Sequence, residues 1–126
     1  MRVLLIEPNR LQAQQYTRFL TSKGHRVQWR EDAQSAVLAA DKAGVDVVII
    51  ELMLAGHSGI EFLYEFRSYG DWLHVPAIIL SGISKSVAGV ADATLRELGV
   101  SAYLYKPETS LQLLSQTLNR LPALKR

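Results

Sequence analysis

No cysteine occurs among the 126 residues of this chain. That absence excludes a disulfide framework, a zinc–thiolate or iron–sulfur centre and a thiol nucleophile, and it agrees with a reducing compartment. Neither sign of charge dominates, because 14 Lys+Arg stand against 12 Asp+Glu for a formal charge of +2. The basic residues are spread along the chain without a dense stripe, so no electrostatic footprint for direct nucleic-acid binding is present. Long apolar runs are missing as well. Runs such as Val3–Ile6 and Val47–Ile50 stop after four residues, where a membrane span needs roughly 18. The first of them ends at Glu7-Pro8, too early for the apolar region of a signal peptide. No G-x-G-x-x-G or G-x-x-x-x-G-K loop follows it, which removes the usual nucleotide cradle. These absences predict a soluble, cytoplasmic domain with no membrane contact.

What is present alternates. Short apolar runs at Val3–Ile6, Val27–Trp29, Val45–Ile50, Ala77–Leu80 and Ala102–Tyr105 have the length and β-branched content of strands. Val3–Ile6, Val47–Ile50 and Ala77–Leu80 carry no polar residue, as buried parallel strands require. Val27 and Trp29 alternate with Arg26, Gln28 and Arg30, which predicts a half-exposed edge strand, and Ser101–Tyr105 predicts the other edge. Between the runs the apolar spacing is helical. Asn9, Asp32 and Ser58 stand where N-caps belong, and Ser58 with Glu61 has capping-box form. Val87, Val90, Ala91, Leu95 and Leu98 fall on one stripe of a fourth helix that Gly99 would stop, and Leu111, Leu114, Leu118 and Leu121 on one stripe of a fifth. Strand and helix alternate five times, so the expectation is one α/β domain with a parallel sheet and helices on both faces.

In such a sheet reactive groups gather beyond the carboxyl ends of the strands. Glu7 ends the first strand, Glu51 the third, Ser81 the fourth and Lys106 the fifth, so two carboxylates, a hydroxyl and an ammonium converge on one rim. Taken singly, each is a solvated residue after a buried run; together they predict a shared site. Ser81 with Lys106 as base could make a small hydrolase, although Ser81-Gly82 lacks the G-x-S-x-G setting of a strained nucleophile turn. His25, His57 and His74 are scattered without paired spacing and read as loop histidines, and Trp29 and Trp72 as local packing.

Four stretches carry a resemblance: VLLIEPNR, VDVVIIELMLAGHSGIEFLYEFR, VPAIILSG and GVSAYLYKP. In that order, and over nearly the whole chain, they resemble the response-regulator receiver domains of two-component signalling. The resemblance implies a flavodoxin-like (βα)5 three-layer sandwich, a five-stranded parallel sheet of order 2-1-3-4-5, over residues 1–121, with 122–126 a tail or the start of a linker. It implies that Glu51 stands where the family carries its phosphoacceptor Asp, that Ser81 and Lys106 are the groups a phosphoryl group recruits, and that Tyr103 is the rotating aromatic of the output face. The family's acidic pair, which helps bind Mg²⁺, is Glu7-Pro8 here, so one ligand is lost; the Met53 carbonyl could still serve as another.

Glu is longer than Asp by one C–C bond, about 1.5 Å, and in-line attack loses roughly 10²-fold for 1 Å of misplacement. The expectation is therefore an atypical, non-enzymatic receiver with weak or no Mg²⁺ binding and no other cofactor. The alternative is a working phospho-receiver with weakened chemistry. Glu51 can reach Lys106 and Ser81, either to fix one signalling state or as a plain structural ion pair; the sequence leaves both open. Partners are expected on the surface of the fourth helix, fifth strand and fifth helix: another protein, an output domain or a second copy in a homodimer.

Overall fold

Runs with no polar position cannot leave a face in water, and these runs form the middle of the sheet. The computed structural model describes residues 1–121; the expected tail, 122–126, lies outside them. Five strands, β1 (Arg2–Ile6), β2 (Arg26–Arg30), β3 (Val47–Ile50), β4 (Ala77–Ser81) and β5 (Val100–Tyr105), pair in the order β2-β1-β3-β4-β5. All four pairings are parallel, with Leu5 opposite Ile49 and Ile49 opposite Ile78. Strands β1, β3 and β4 are buried almost throughout, while β2 and β5 are the half-exposed edges that their polar alternation predicts.

Successive strand residues point to opposite faces, so one sheet serves two cores. Val3, Leu5, Val47, Ile49, Ile78 and Leu80 pack against α1 (Arg10–Ser22) and α6 (Leu111–Asn119) through Ala13, Leu20, Leu114 and Leu118. Leu4, Ile6, Val48, Ile50 and Ile79 pack on the other side against α2 (Ala33–Ala43), α3 (Gly59–Arg67) and Leu95 of α5 (Asp92–Glu97). Asn9, Asp32 and Ser58 cap their helices, each side chain accepting from the backbone N–H three residues on. Glu61 completes the motif differently from the reciprocal box, because its carboxylate meets His57 Nδ1 at 3.2 Å. Trp72 stacks on Phe66 at 4.8 Å between centroids. Trp29, within β2, packs against the edge of the α1–α6 core, and its indole N–H donates to the Glu7 carbonyl at 2.8 Å.

One expected element is broken. The fourth helix divides into α4 (Lys85–Ala88) and α5. Ser84 caps the first piece, and Gly89, at φ 69°, terminates it in the left-handed region that side chains avoid. The predicted stripe accordingly fails at Val87, which is 74% exposed, while Leu95 and Leu98 remain buried. The expected surface of fourth helix, fifth strand and fifth helix thus consists of α4, α5, β5 and α6.

Candidate functional site

The pocket is made where four strands run out. The backbone ladder continues one residue past β1 and β3: Glu7 N–H donates to the Arg30 carbonyl and Glu51 N–H to the Ile6 carbonyl, both at 3.0 Å. These bonds hold Glu7 and Glu51 side by side at the sheet rim. Ser81 closes β4, and Lys106 follows β5 with Pro107 behind it in a short 3-10 turn, Lys106–Glu108. Glu7, Glu51 and Ser81 are all buried, with Ser81 at 0% exposure. The four residues expected at the rim therefore do come together.

Charge and hydrogen bonding in the pocket converge on Glu51. Its Oε1 accepts from Lys106 Nζ at 2.8 Å and from the Gly82 amide at 3.0 Å. Its Oε2 accepts from the Met53 amide at 3.2 Å and from the Ser81 hydroxyl. An ionised carboxylate offers about four acceptor positions, so this one is fully engaged. Lys106 Nζ also meets Glu7 Oε1 at 2.7 Å, and Glu7 Oε2 accepts from the Asn9 amide at 3.0 Å. Pro8, between them, contributes no side-chain donor or acceptor. One ammonium thus bridges two buried carboxylates.

Burial alone would push the Glu51 carboxyl up, but the bonds from Lys106, Ser81 and Gly82 and the Lys106 charge outweigh it, leaving the carboxyl below its ordinary value. Burial likewise pulls the Lys106 ammonium down, and its bonds to Glu51 and Glu7 with both their charges overcome that and raise it. Glu51 is held ionised and Lys106 protonated.

The pocket connects to the strand β5 surface. Ser81 Oγ, bonded to Glu51, accepts from the Ile83 amide at 3.2 Å, and the Ile83 carbonyl accepts from the Tyr103 hydroxyl at 2.7 Å. Burial, together with the Glu51 charge, raises the Tyr103 phenol against the lowering influence of the nearby Ser81 hydroxyl.

Side-chain pattern alone does not reveal several contributors: the amides of Met53, Gly82, Ile83 and Asn9, and Gly59. A Cβ on Gly59 would stand 2.7 Å from the Glu51 carbonyl oxygen and 3.0 Å from Leu52 Cα. Only glycine lets α3 start this close to the chain leaving β3. Its position directly after the Ser58 cap is the one trace of this in the sequence.

The fold is thus a doubly wound parallel sheet with two acids, a hydroxyl and a lysine gathered at the carboxyl ends of its strands. The family model described as the response regulator receiver domain matches residues 3–118, and the chain belongs to that family. It is 27% identical over 114 residues to the sensory transduction protein RegX3 of Mycobacterium tuberculosis, covering 90% of this chain and 48% of the relative. It is 32% identical over 110 residues to the transcriptional regulatory protein QseB of Haemophilus influenzae, covering 85% of this chain and 46% of that protein. The chain thus spans about half the length of these curated relatives. Among solved structures, the chemotaxis protein CheY4 of Vibrio cholerae shares the fold, with a TM-score of 0.85 at 23% identity over 96% of this chain and 98% of that one. The receiver domain of the sensor histidine kinase PA1611 of Pseudomonas aeruginosa superposes with a TM-score of 0.79 at 26% identity over 94% of each chain, and that structure holds a magnesium ion coordinated in the active site cleft.

Proposed function

We propose that this chain is an atypical receiver domain, residues 1–121, that signals through protein contacts in the cytoplasm without being phosphorylated. The observation that carries this reading is the complete engagement of Glu51: Lys106, Ser81, Gly82 and Met53 all donate to its carboxylate. Lys106 and Ser81 are the groups that a phosphoryl group recruits in this family, and here the protein's own side chain has taken them. A carboxylate with every acceptor position filled and its charge neutralised by Lys106 is a poor nucleophile. The lengthened side chain also occupies space that a phosphoryl group would need.

The same geometry argues against Mg²⁺. The carboxylate oxygens of the pocket already face Lys106 and backbone amides, Pro8 has no ligand to give, and an ammonium sits between Glu7 and Glu51. Mg²⁺ demands near-octahedral oxygen coordination and dehydrates reluctantly, so a site short of one carboxylate and already holding a cation does not fit it. A hydrolase reading gains no support either. Ser81 is fully buried and turned toward Glu51, and Lys106 is held protonated and is no base. The chain of bonds from Glu51 through Ser81 and Ile83 to Tyr103 supports one fixed signalling state. That state is offered to a protein partner, an output domain or a second copy across α4, α5, β5 and α6.

The test is an amide NMR titration with acetyl phosphate or beryllofluoride plus Mg²⁺. Unchanged signals around Glu51 and Tyr103 are expected. Clear shifts there would instead establish a working phospho-receiver. A Pro8→Asp/Glu51→Asp double variant serves as the positive control, because it restores the missing ligand and shortens the acceptor.

A further inference from the structure

The chain from Ser84 to Leu98 carries the start signal of one helix and the bodies of two. Ser84 caps α4, its hydroxyl accepting from the Val87 amide. Asn9, Asp32, Ser58 and Ser110 cap α1, α2, α3 and α6 in the same way. Among the α-helices, α5 alone starts without a side-chain cap, on Ala91, a poor residue for that position. The apolar spacing of Val87, Val90, Ala91, Leu95 and Leu98 likewise runs straight through the break at Gly89.

The broken form leaves apolar surface unused. No residue of α4 is buried, and Val87 stands 74% exposed. Beside α4 lies a largely apolar hollow of about 670 Å³, whose lining includes Met53, Leu54, Ile60, Ile83, Ala88 and Val90. An exposed ion pair spans the break, Lys85 Nζ on α4 meeting Asp92 on α5. In a continuous helix these two residues would stand about 10 Å apart along the axis, so the pair belongs to the broken form. Nothing lies within 4 Å of a Cβ built on Gly89, and its surroundings leave the hinge unobstructed.

We infer that Ser84–Leu98 is a two-state element: a broken form latched by Lys85 and Asp92, and a continuous helix in which Gly89 takes helical φ and Val87 is seated in the hollow. Glycine adopts both backbone conformations readily. The continuous form gives up a surface ion pair, which contributes little. In return it buries a valine and supplies carbonyl partners to the uncapped amides of α5. A glycine inside a helix opposes it, which keeps the two forms close in free energy. The bonds that fix the Glu51 pocket end at Ile83, and this movement begins beyond it. The pocket therefore stays set while the α4–α5 surface takes two forms, and a protein that binds one form better draws the population toward it. The inference goes beyond the phosphorylation reading and does not depend on it.

Helix rearrangements of this kind run on the microsecond to millisecond scale, so relaxation-dispersion NMR on the whole chain is the test. Exchange over residues 84–98 toward helical Cα shifts is expected, with quiet signals in the sheet and at Glu51. Gly89→Ala, which penalises left-handed backbone, should raise the continuous population about tenfold. Lys85→Met should raise it several-fold, and added salt should act on the parent chain in the same direction, because the exposed pair is screened. Val87→Asn should lower it. The altered side chains are exposed and the Gly89 site is open, so unchanged sheet signals report an intact fold. Flat profiles over 84–98 in both the parent and Gly89→Ala, or exchange centred on Glu51 and Lys106, would overturn the inference. A Lys85→Met chain indistinguishable from the parent would do the same, since no latch would then exist. So would exchange that Val87→Asn leaves undiminished, because the hollow would have no part in it.

Discussion

Lys106 balances a pocket that holds two buried carboxylates, and its removal is not equivalent to removal of one acid. Lys106→Met leaves Glu7 and Glu51 buried, close together and without their shared cation, which should cost about 3–5 kcal/mol. Glu51→Gln keeps the shape and leaves Lys106 paired with Glu7 at 2.7 Å. It places an amide NH₂ against two donors, so about 1–3 kcal/mol is expected. Urea unfolding of the two single variants and the double variant measures both, and the double should lose less than the sum because the sites share one network. Equal and additive losses would mean that Lys106 and Glu51 are coupled only weakly. The identities of these side chains could be read from the sequence because each ends an apolar run. Their partners Gly82 and Met53 could not, since those donors are backbone amides common to every residue.

Among the elements, α4 and α5 show where periodicity misleads. Val87, Val90, Leu95 and Leu98 have helical spacing, yet the chain breaks at Gly89, whose φ of 69° lies in the left-handed region. Apolar spacing reports which residues could share a face; it does not report the cost of carrying a glycine through a helix. Nothing lies within 4 Å of a Cβ built on Gly89, so a substitution there tests the backbone alone. Gly89→Ala should destabilise the domain by about 1 kcal/mol in urea unfolding. A gain in stability and helicity by circular dichroism would favour the continuous helix instead. The caps fared better. Asn9, Asp32 and Ser58 act locally on an N–H three residues away, and local geometry is what sequence carries most directly.

For the whole molecule, the pocket sets how stability responds to pH. Glu51 titrates below its ordinary value of 4.5 in the folded protein. Its contribution is complete above the unfolded value and is lost as the pH falls through the folded one. Lys106 titrates above its ordinary 10.5, so its contribution is complete below the unfolded value and is lost as the pH rises through the folded one. Stability should therefore hold level across neutral pH, with an acid limb that Glu51→Gln flattens and an alkaline limb that Lys106→Met removes. Urea midpoints taken across the pH range check both limbs; an acid limb untouched by Glu51→Gln would mean that other carboxylates produce it. The sequence by itself determined the layering and the shared rim: in a right-handed βα alternation every strand ends on the same side, so Glu7, Glu51, Ser81 and Lys106 had to converge. Only the tertiary structure decided how Lys106 divides between Glu7 and Glu51, which amides complete the Glu51 carboxylate and how Tyr103 joins them. Those bonds link residues 30 and 55 positions apart, and they depend on strand register and loop approach at the scale of a single ångström, which no pattern of residue types encodes.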